Sequence, residues 1–306
     1  MNKKTILLLA VLTAFLIVSG RSIILLHTND IMDVFEPRGA TFINPDFPPK
    51  LGGVYSFATA VAWERKKAEK NGDILLLTDS GNFSVKYLKE DSVSMERPVA
   101  VFNYLGYDII NLGIDEISSG PRFVQRNIER LNMPVLLSNI SFPDYPLDVK
   151  DYHIFDIEGI RIGVFGLTTE YAVFDLKRHV LEQADIEREI TTARRLVDLL
   201  KKNKCEIIIG LTSIGFEHDR KLADTVEGID VILGGYEGRG MREPYETPVN
   251  HTVIFKGYGE LSSYEKIVLE LDELNYIKGY SGESVTLFED AFPPDPELKN
   301  KLQNKD

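Results

Sequence analysis

The chain has a single cysteine, Cys205, in 306 residues. No intrachain disulfide can form, so the fold must hold without covalent staples. Cys205 follows Asn203-Lys204 and precedes an apolar stretch; it reads as a small buried hydrophobe in a strand. Positive charge is also short: 35 Lys and Arg face 47 Asp and Glu, for a formal net charge of −12. Residues 1–20 contribute only the positive charges of Lys3 and Lys4, so the remainder is more acidic still. Sequence-independent nucleic-acid binding needs Lys and Arg to displace counterions, and this balance excludes it. The same balance gives no attraction to anionic lipid, nor to a phosphorylated substrate except through a bound cation. Long apolar runs are absent but for Thr5–Val18, which follows Lys3-Lys4 and precedes the small residues Ser19-Gly20. That run is short for a membrane span and suits a signal sequence. Residues 1–20 are therefore expected to be a cleaved signal peptide, or else an uncleaved N-terminal anchor and the only membrane contact. Either way the chain is expected to be exported: periplasmic, extracellular or tethered to the membrane.

What is present is an ordinary globular composition, 43% hydrophobic and 27% charged. Short apolar runs alternate with helical periodicity. Strands are expected at Ser22–His27, Ile74–Leu77, Asp108–Leu112, Val135–Leu137, Ile207–Leu211 and Val231–Leu233. Glu158-Gly159 reads as the turn of a hairpin between Tyr152–Ile157 and Ile160–Leu167. Helices are expected over Gly53–Asn71, Met95–Leu105, Gly120–Asn132, Ile186–Asn203 and around Lys221–Val226, with a last one from Pro296. Asp30–Lys50 reads as a long loop. From Thr252 the chain turns strand-rich, at Thr252–Phe255, Tyr264–Leu271 and Ser284–Leu287. No repeat or interdomain linker interrupts residues 21–306, which are expected to form one α/β domain.

Five short strings, each following an apolar run, stand out: His27-Thr-Asn-Asp30, Asp79-Ser-Gly-Asn82, Leu112-Gly-Ile-Asp-Glu116, Gly210–Asp219 and Gly234-Gly-Tyr-Glu-Gly238. Gly52-Gly53, Tyr104–Asp108, Leu137–Ile140 and Lys256–Gly259 lie between and after them. In order and spacing the set resembles the 5′-nucleotidase type of metallophosphoesterase, within the calcineurin-like phosphoesterases. The resemblance runs over about residues 23–302 and covers that family's N-terminal domain only. It implies a four-layer α-β-β-α sandwich with two metal ions at the strand ends, activating water and clamping phosphate oxygens.

Residue by residue, the resemblance implies that the chemistry has been removed. Asp30 stands at a ligand position unchanged, but the His expected two residues on is Met32, a poor ligand for hard cations. The bridging carboxylate is Asn82, whose neutral amide cannot offset two dications. The ligand Asn is Ile114, the catalytic His is Asp115, and its orienting Asp is Ser118. Three ligand His positions hold Ser213, Tyr236 and Gly238. None of the five histidines, His27, His153, His179, His218 and His251, falls at an expected ligand position.

The chain is accordingly expected to be a non-catalytic member of the family, with no cofactor. Its role would be to bind a protein partner, or a small molecule in the former active-site cleft. The alternative is a phosphoester hydrolase with a rebuilt, oxygen-rich site in which Asp30, Asn82, Asp115, Ser213 and Glu237 hold one Mg²⁺, Ca²⁺ or Mn²⁺.

Overall fold

The computed structural model describes residues 21–41, 43–84, 95–171, 174, 176–236 and 240–303. The expected signal segment, Glu237 and Gly238 lie outside these residues. In chain order the strands are β1 (Ser22–Thr28), β2 (Arg38–Gly39), β3 (Lys50–Leu51), β4 (Ile74–Asp79), β5 (Ile109–Asn111), β6 (Val135–Leu136), β7 (Ile140–Ser141) and β8 (Tyr152–Ile157). They continue as β9 (Ile160–Thr168), β10 (Asp185–Ile186), β11 (Ile207–Ser213), β12 (Val231–Gly234), β13 (Tyr245–Glu246), β14 (Val253–Lys256), β15 (Ser263–Leu271) and β16 (Ile277–Thr286).

Two six-stranded mixed sheets carry the fold. One runs β16-β15-β1-β4-β5-β6 and the other β13-β14-β12-β11-β9-β8. In each, the central strands are parallel, and antiparallel partners close the β16-β15 side of the first sheet and both edges of the second. The strands are apolar on both faces because both faces are covered. Along β1, Ile23 and Leu25 point into the core between the sheets, while Ile24 and Leu26 point into the core beneath the first helical layer. Along β11, Ile207, Ile209 and Leu211 face the intersheet core and Ile208 faces the second helical layer. The period of two thus sorts one apolar run into two cores.

Helices Val54–Asn71, Glu96–Leu105, Pro121–Ile128 and Pro296–Gln303 cover the first sheet. Glu189–Lys202 and Phe216–Thr225 cover the second. The layers are therefore α-β-β-α, the architecture that the motif order implied. The hairpin turn is also as expected, with Glu158 and Gly159 both at positive φ, 52° and 84°.

Several boundaries differ from the sequence reading. The helix expected over Gly120–Asn132 stops at Ile128. The one expected from Ile186 begins at Glu189, because Asp185–Ile186 pairs with β7 instead. The helix expected around Lys221 starts five residues earlier, at Phe216. β16 begins at Ile277 rather than Ser284, since its half-exposed, glycine-containing first half has little apolar signal. The Asp30–Lys50 loop carries the small ribbon of β2 and β3. Cys205 is half-buried in the turn before β11, not within a strand.

Candidate functional site

Parallel strands bring their C-terminal ends to one rim of the molecule, where ligands of such folds bind. β1 delivers Asp30, β4 delivers Asn82, β5 delivers Ile114 and Asp115, β11 ends at Ser213, β12 leads to Tyr236, and β14 ends at Lys256. Three of these residues, Asp30, Asn82 and Tyr236, and Met32 beside them have left-handed backbone, with φ of 49°, 58°, 80° and 51°. Non-glycine residues rarely adopt that region, and it recurs where loops are shaped for a site. Gly81, at φ 104°, could not be replaced: an added Cβ would come within 2.3 Å of the Gly113 nitrogen.

The structure joins Asp30, Asn82 and Ser213 in one closed network. The Asn82 amide nitrogen donates to Asp30 Oδ1 at 2.9 Å and to Ser213 Oγ at 3.2 Å. The Tyr236 backbone N–H donates to both Asp30 oxygens, at 3.1 and 2.9 Å, and Asn29 Nδ2 donates to Oδ2 at 2.6 Å. Lys256 Nζ stands 3.7 Å from the same Oδ2, and both side chains are almost fully withdrawn from solvent. Burial pushes the Asp30 carboxyl up, and the Lys256 charge and the hydrogen bonds pull it back. Among the described residues, Lys256 is the cation paired with this carboxylate.

These residues do not fit two divalent cations. An Asn would ligate a metal through its amide oxygen, yet Asn82 Oδ1 accepts the Asp115 backbone N–H at 3.2 Å while the amide nitrogen donates to Asp30 and Ser213. Ile114 is a core residue, 1% exposed, and Met32 is 41% exposed. Tyr236 is half-buried and packs against the core cluster beneath the first helical layer. Among the described residues no three His, Cys, Asp or Glu side chains are grouped as a metal site would require. Of the rebuilt set, Asp30, Asn82 and Ser213 meet, and Asp115 joins through its backbone N–H, which donates to Asn82 Oδ1 at 3.2 Å. Ser118 Oγ bonds the Asp115 carbonyl at 2.8 Å. Two sizeable cavities, about 690 and 760 Å³, lie elsewhere and are lined by none of Asp30, Asn82, Ser213 or Tyr236.

The remaining landmark residues hold the loops in place. Glu116, fully buried, accepts bonds from the backbone N–H groups of Asn82, Gly113 and Ser84 and from Ser84 Oγ, all within 2.9 Å. It pins the second loop to the third. His27 contacts Thr78 Oγ1 at 3.0 Å and the Gly234 carbonyl at 3.3 Å, and burial lowers its pKa to about 3, so it stays neutral. His218 sits in the first turn of helix Phe216–Thr225, 3.1 Å from Glu189 and away from the network. Lys256 reads from sequence only as framework; the signal that could flag it is a lone cation ending the buried run Val253-Ile-Phe255.

No family model matches the chain. Its similarity to known proteins nevertheless defines a class, the metallophosphoesterase fold. A crystal structure of the calcineurin-like phosphoesterase YfkN from Bacillus subtilis superposes with a TM-score of 0.72 at 19% identity, covering 93% of this chain and 96% of that one. More particularly, the likeness is to the N-terminal half of 5′-nucleotidases. The 5′-nucleotidase precursor from Thermus thermophilus gives a TM-score of 0.81 at 20% identity, over 92% of this chain and 58% of that one. In sequence, the Bos taurus 5′-nucleotidase is 28% identical over 304 residues, 90% of this chain and 51% of its own length. The chain thus spans about half the length of the curated relatives it matches.

Proposed function

We propose that this is an exported 5′-nucleotidase-like protein of metallophosphoesterase fold that has given up hydrolysis and acts by binding. Its occupant would be a protein partner or a small molecule at the former active-site rim. The observation that carries this reading is the network at the strand ends. Where the family resemblance places a bridging carboxylate, Asn82 ties Asp30 to Ser213, and Lys256 stands beside Asp30 as an internal cation. Buried polar groups that satisfy one another leave little reason to recruit a metal. Left-handed backbone at Asp30, Met32, Asn82 and Tyr236 gives the rim loops a defined shape. Export rests on residues 1–20, which read as a targeting segment; among the described residues no helix is long and apolar enough to cross a membrane.

A second reading draws on the convergence of Asp30, Asn82 and Ser213, three oxygen-bearing side chains that could hold one Mg²⁺, Ca²⁺ or Mn²⁺ for phosphoester hydrolysis. One experiment separates the two. The purified exported chain is analysed for bound metal and assayed on a generic phosphomonoester with Mn²⁺, Mg²⁺, Ca²⁺ and Zn²⁺. The binding reading expects no metal and no turnover from a chain with an intact thermal transition. Metal-dependent turnover that disappears in Asp30→Ala would sink it and establish the hydrolase.

A further inference from the structure

The cavity of about 760 Å³ is within the size range of small-ligand sites, and it adjoins the Asp30 loop without sharing the rim network. Four chain segments build it, and backbone hydrogen bonds fix them to one another. The Met241 N–H donates to the Lys256 carbonyl at 2.9 Å, and the Ser284 N–H to the Arg242 carbonyl at 3.1 Å, which sets the wall that carries Arg242. Opposite, the Gly52 N–H bonds the Leu287 carbonyl at 2.9 Å, and Leu51 bridges to Phe288. The Glu260 N–H donates to the Asp30 carbonyl at 2.8 Å, joining this wall to the first loop.

The lining has a definite chemical character. Arg38 is ion-paired with Glu260, so the two cancel. The Arg242 guanidinium has no ion pair or side-chain hydrogen bond among the described residues, on a protein whose net charge is −12. Ser263 and Ser284 line the cavity, and both hydroxyls donate to Oε1 of Glu265, at 3.2 and 3.1 Å. Glu265 is fully buried. With their protons committed to it, the two serine oxygens present lone pairs and accept hydrogen bonds from whatever enters. Tyr258 and Phe288 add aromatic surface, Tyr258 being 49% exposed.

We propose that this cavity binds a hydroxylated organic anion, of the sugar-phosphate or sugar-acid class. Its anionic group would meet Arg242, its hydroxyls would donate to Ser263 and Ser284, and its carbon face would rest on Tyr258 and Phe288. A guanidinium suits phosphate and carboxylate alike through paired N–H donors. The site does not depend on whether the rim network turns over substrate.

The test is calorimetric titration of the exported chain with ribose 5-phosphate and with gluconate, using ribose and inorganic phosphate as controls. At least one charged sugar is expected to bind saturably, with each control weaker by about tenfold or more. Which of the two binds decides between phosphate and carboxylate. Arg242→Gln is expected to weaken binding by about tenfold or more, and Arg242→Lys to recover part of the loss. Ile43→Trp, which places a large ring in the cavity, is expected to abolish it. Arg242 is exposed, so its substitution spares the core; a thermal scan of each variant verifies folding. Absence of saturable binding to the folded chain up to about 10 mM overturns the proposal. So does binding that Arg242→Gln and Ile43→Trp leave unchanged, because the probe would then be seated at the rim instead.

Discussion

Lys256 and Asp30 lie 3.7 Å apart with side chains only 3% and 5% exposed. Breaking a buried pair by removing one partner leaves an uncompensated charge and costs about 3–5 kcal/mol. Lys256→Met is therefore expected to lower stability by about 3 kcal/mol in urea denaturation. Adding Asp30→Asn should return part of that loss, a coupling that a double-mutant cycle measures. A near-zero coupling would mean that Lys256 is not the counter-charge. Asn82→Asp is the complementary change. It places a second carboxylate against Asp30 Oδ1, where the amide now donates at 2.9 Å. The variant is expected to lose about 1–3 kcal/mol in chelator and to gain more melting temperature than the parent chain when Ca²⁺ or Mg²⁺ is added. Equal gains in both would show that the amide is not what keeps cations out. Glu265 contributes to the pH dependence beside Asp79 and Asp219, whose carboxyls burial also raises well above their ordinary value. Burial raises the Glu265 carboxyl from 4.5 to about 8. Between those values the folded chain holds a proton that the unfolded chain releases, so this group's stabilisation is complete below pH 4.5 and is lost as pH rises to about 8. The slope it adds is at most about 1.4 kcal/mol per pH unit. Glu265→Gln should flatten the stability profile across that window; an unchanged slope would assign it to other buried acids.

At the scale of elements, the loops matter more than the strands they follow. Glu116 ties Ser84, Asn82 and Gly113 together with four hydrogen bonds. Its removal strands several buried backbone donors at once, each costing about 1–3 kcal/mol. Glu116→Ala is expected to be destabilised by about 3 kcal/mol or more, and to show faster amide exchange at Asn82–Ser84 than in the helices. Uniform exchange across both regions would count against a pin between loops. The strands themselves are legible in the sequence, because β1, β4, β11 and β12 are apolar on both faces. The first half of β16 is not, because its burial alternates weakly and glycines interrupt it. The short pairing of β7 with β10 is equally hidden, since two residues per strand give no period to read.

At the scale of the molecule, two sheets face each other across one apolar core, and helices cover both outer faces. The sequence as a whole carries a formal net charge of −12. Retention on immobilised duplex DNA is therefore not expected even at low ionic strength, where phosphate attraction is strongest. Salt-sensitive retention would reveal a basic face that the charge balance conceals. The chain spans about half the length of the relatives it matches, and its cavity of about 760 Å³ lies beside the rim rather than in it.

The sequence by itself determined the layers and the rim. Apolar runs alternating with helical periodicity imply an α/β domain, and the resemblance carried by the strings around Asp30, Asn82, Gly113, Ser213 and Gly235 implies strand tips that meet, with residues there that depart from a two-metal site. Only the tertiary structure decided what occupies the positions instead. Asn82 meets Asp30, 52 residues away, because β4 lies beside β1 in one sheet, and meets Ser213, 131 residues away, because the second sheet faces the first. That Lys256, far beyond Asp30 in the chain, brings its charge to within 3.7 Å of that carboxylate depends on the same packing. Local periodicity fixes which way a side chain leaves its strand, but the partner it meets is set by the fold as a whole.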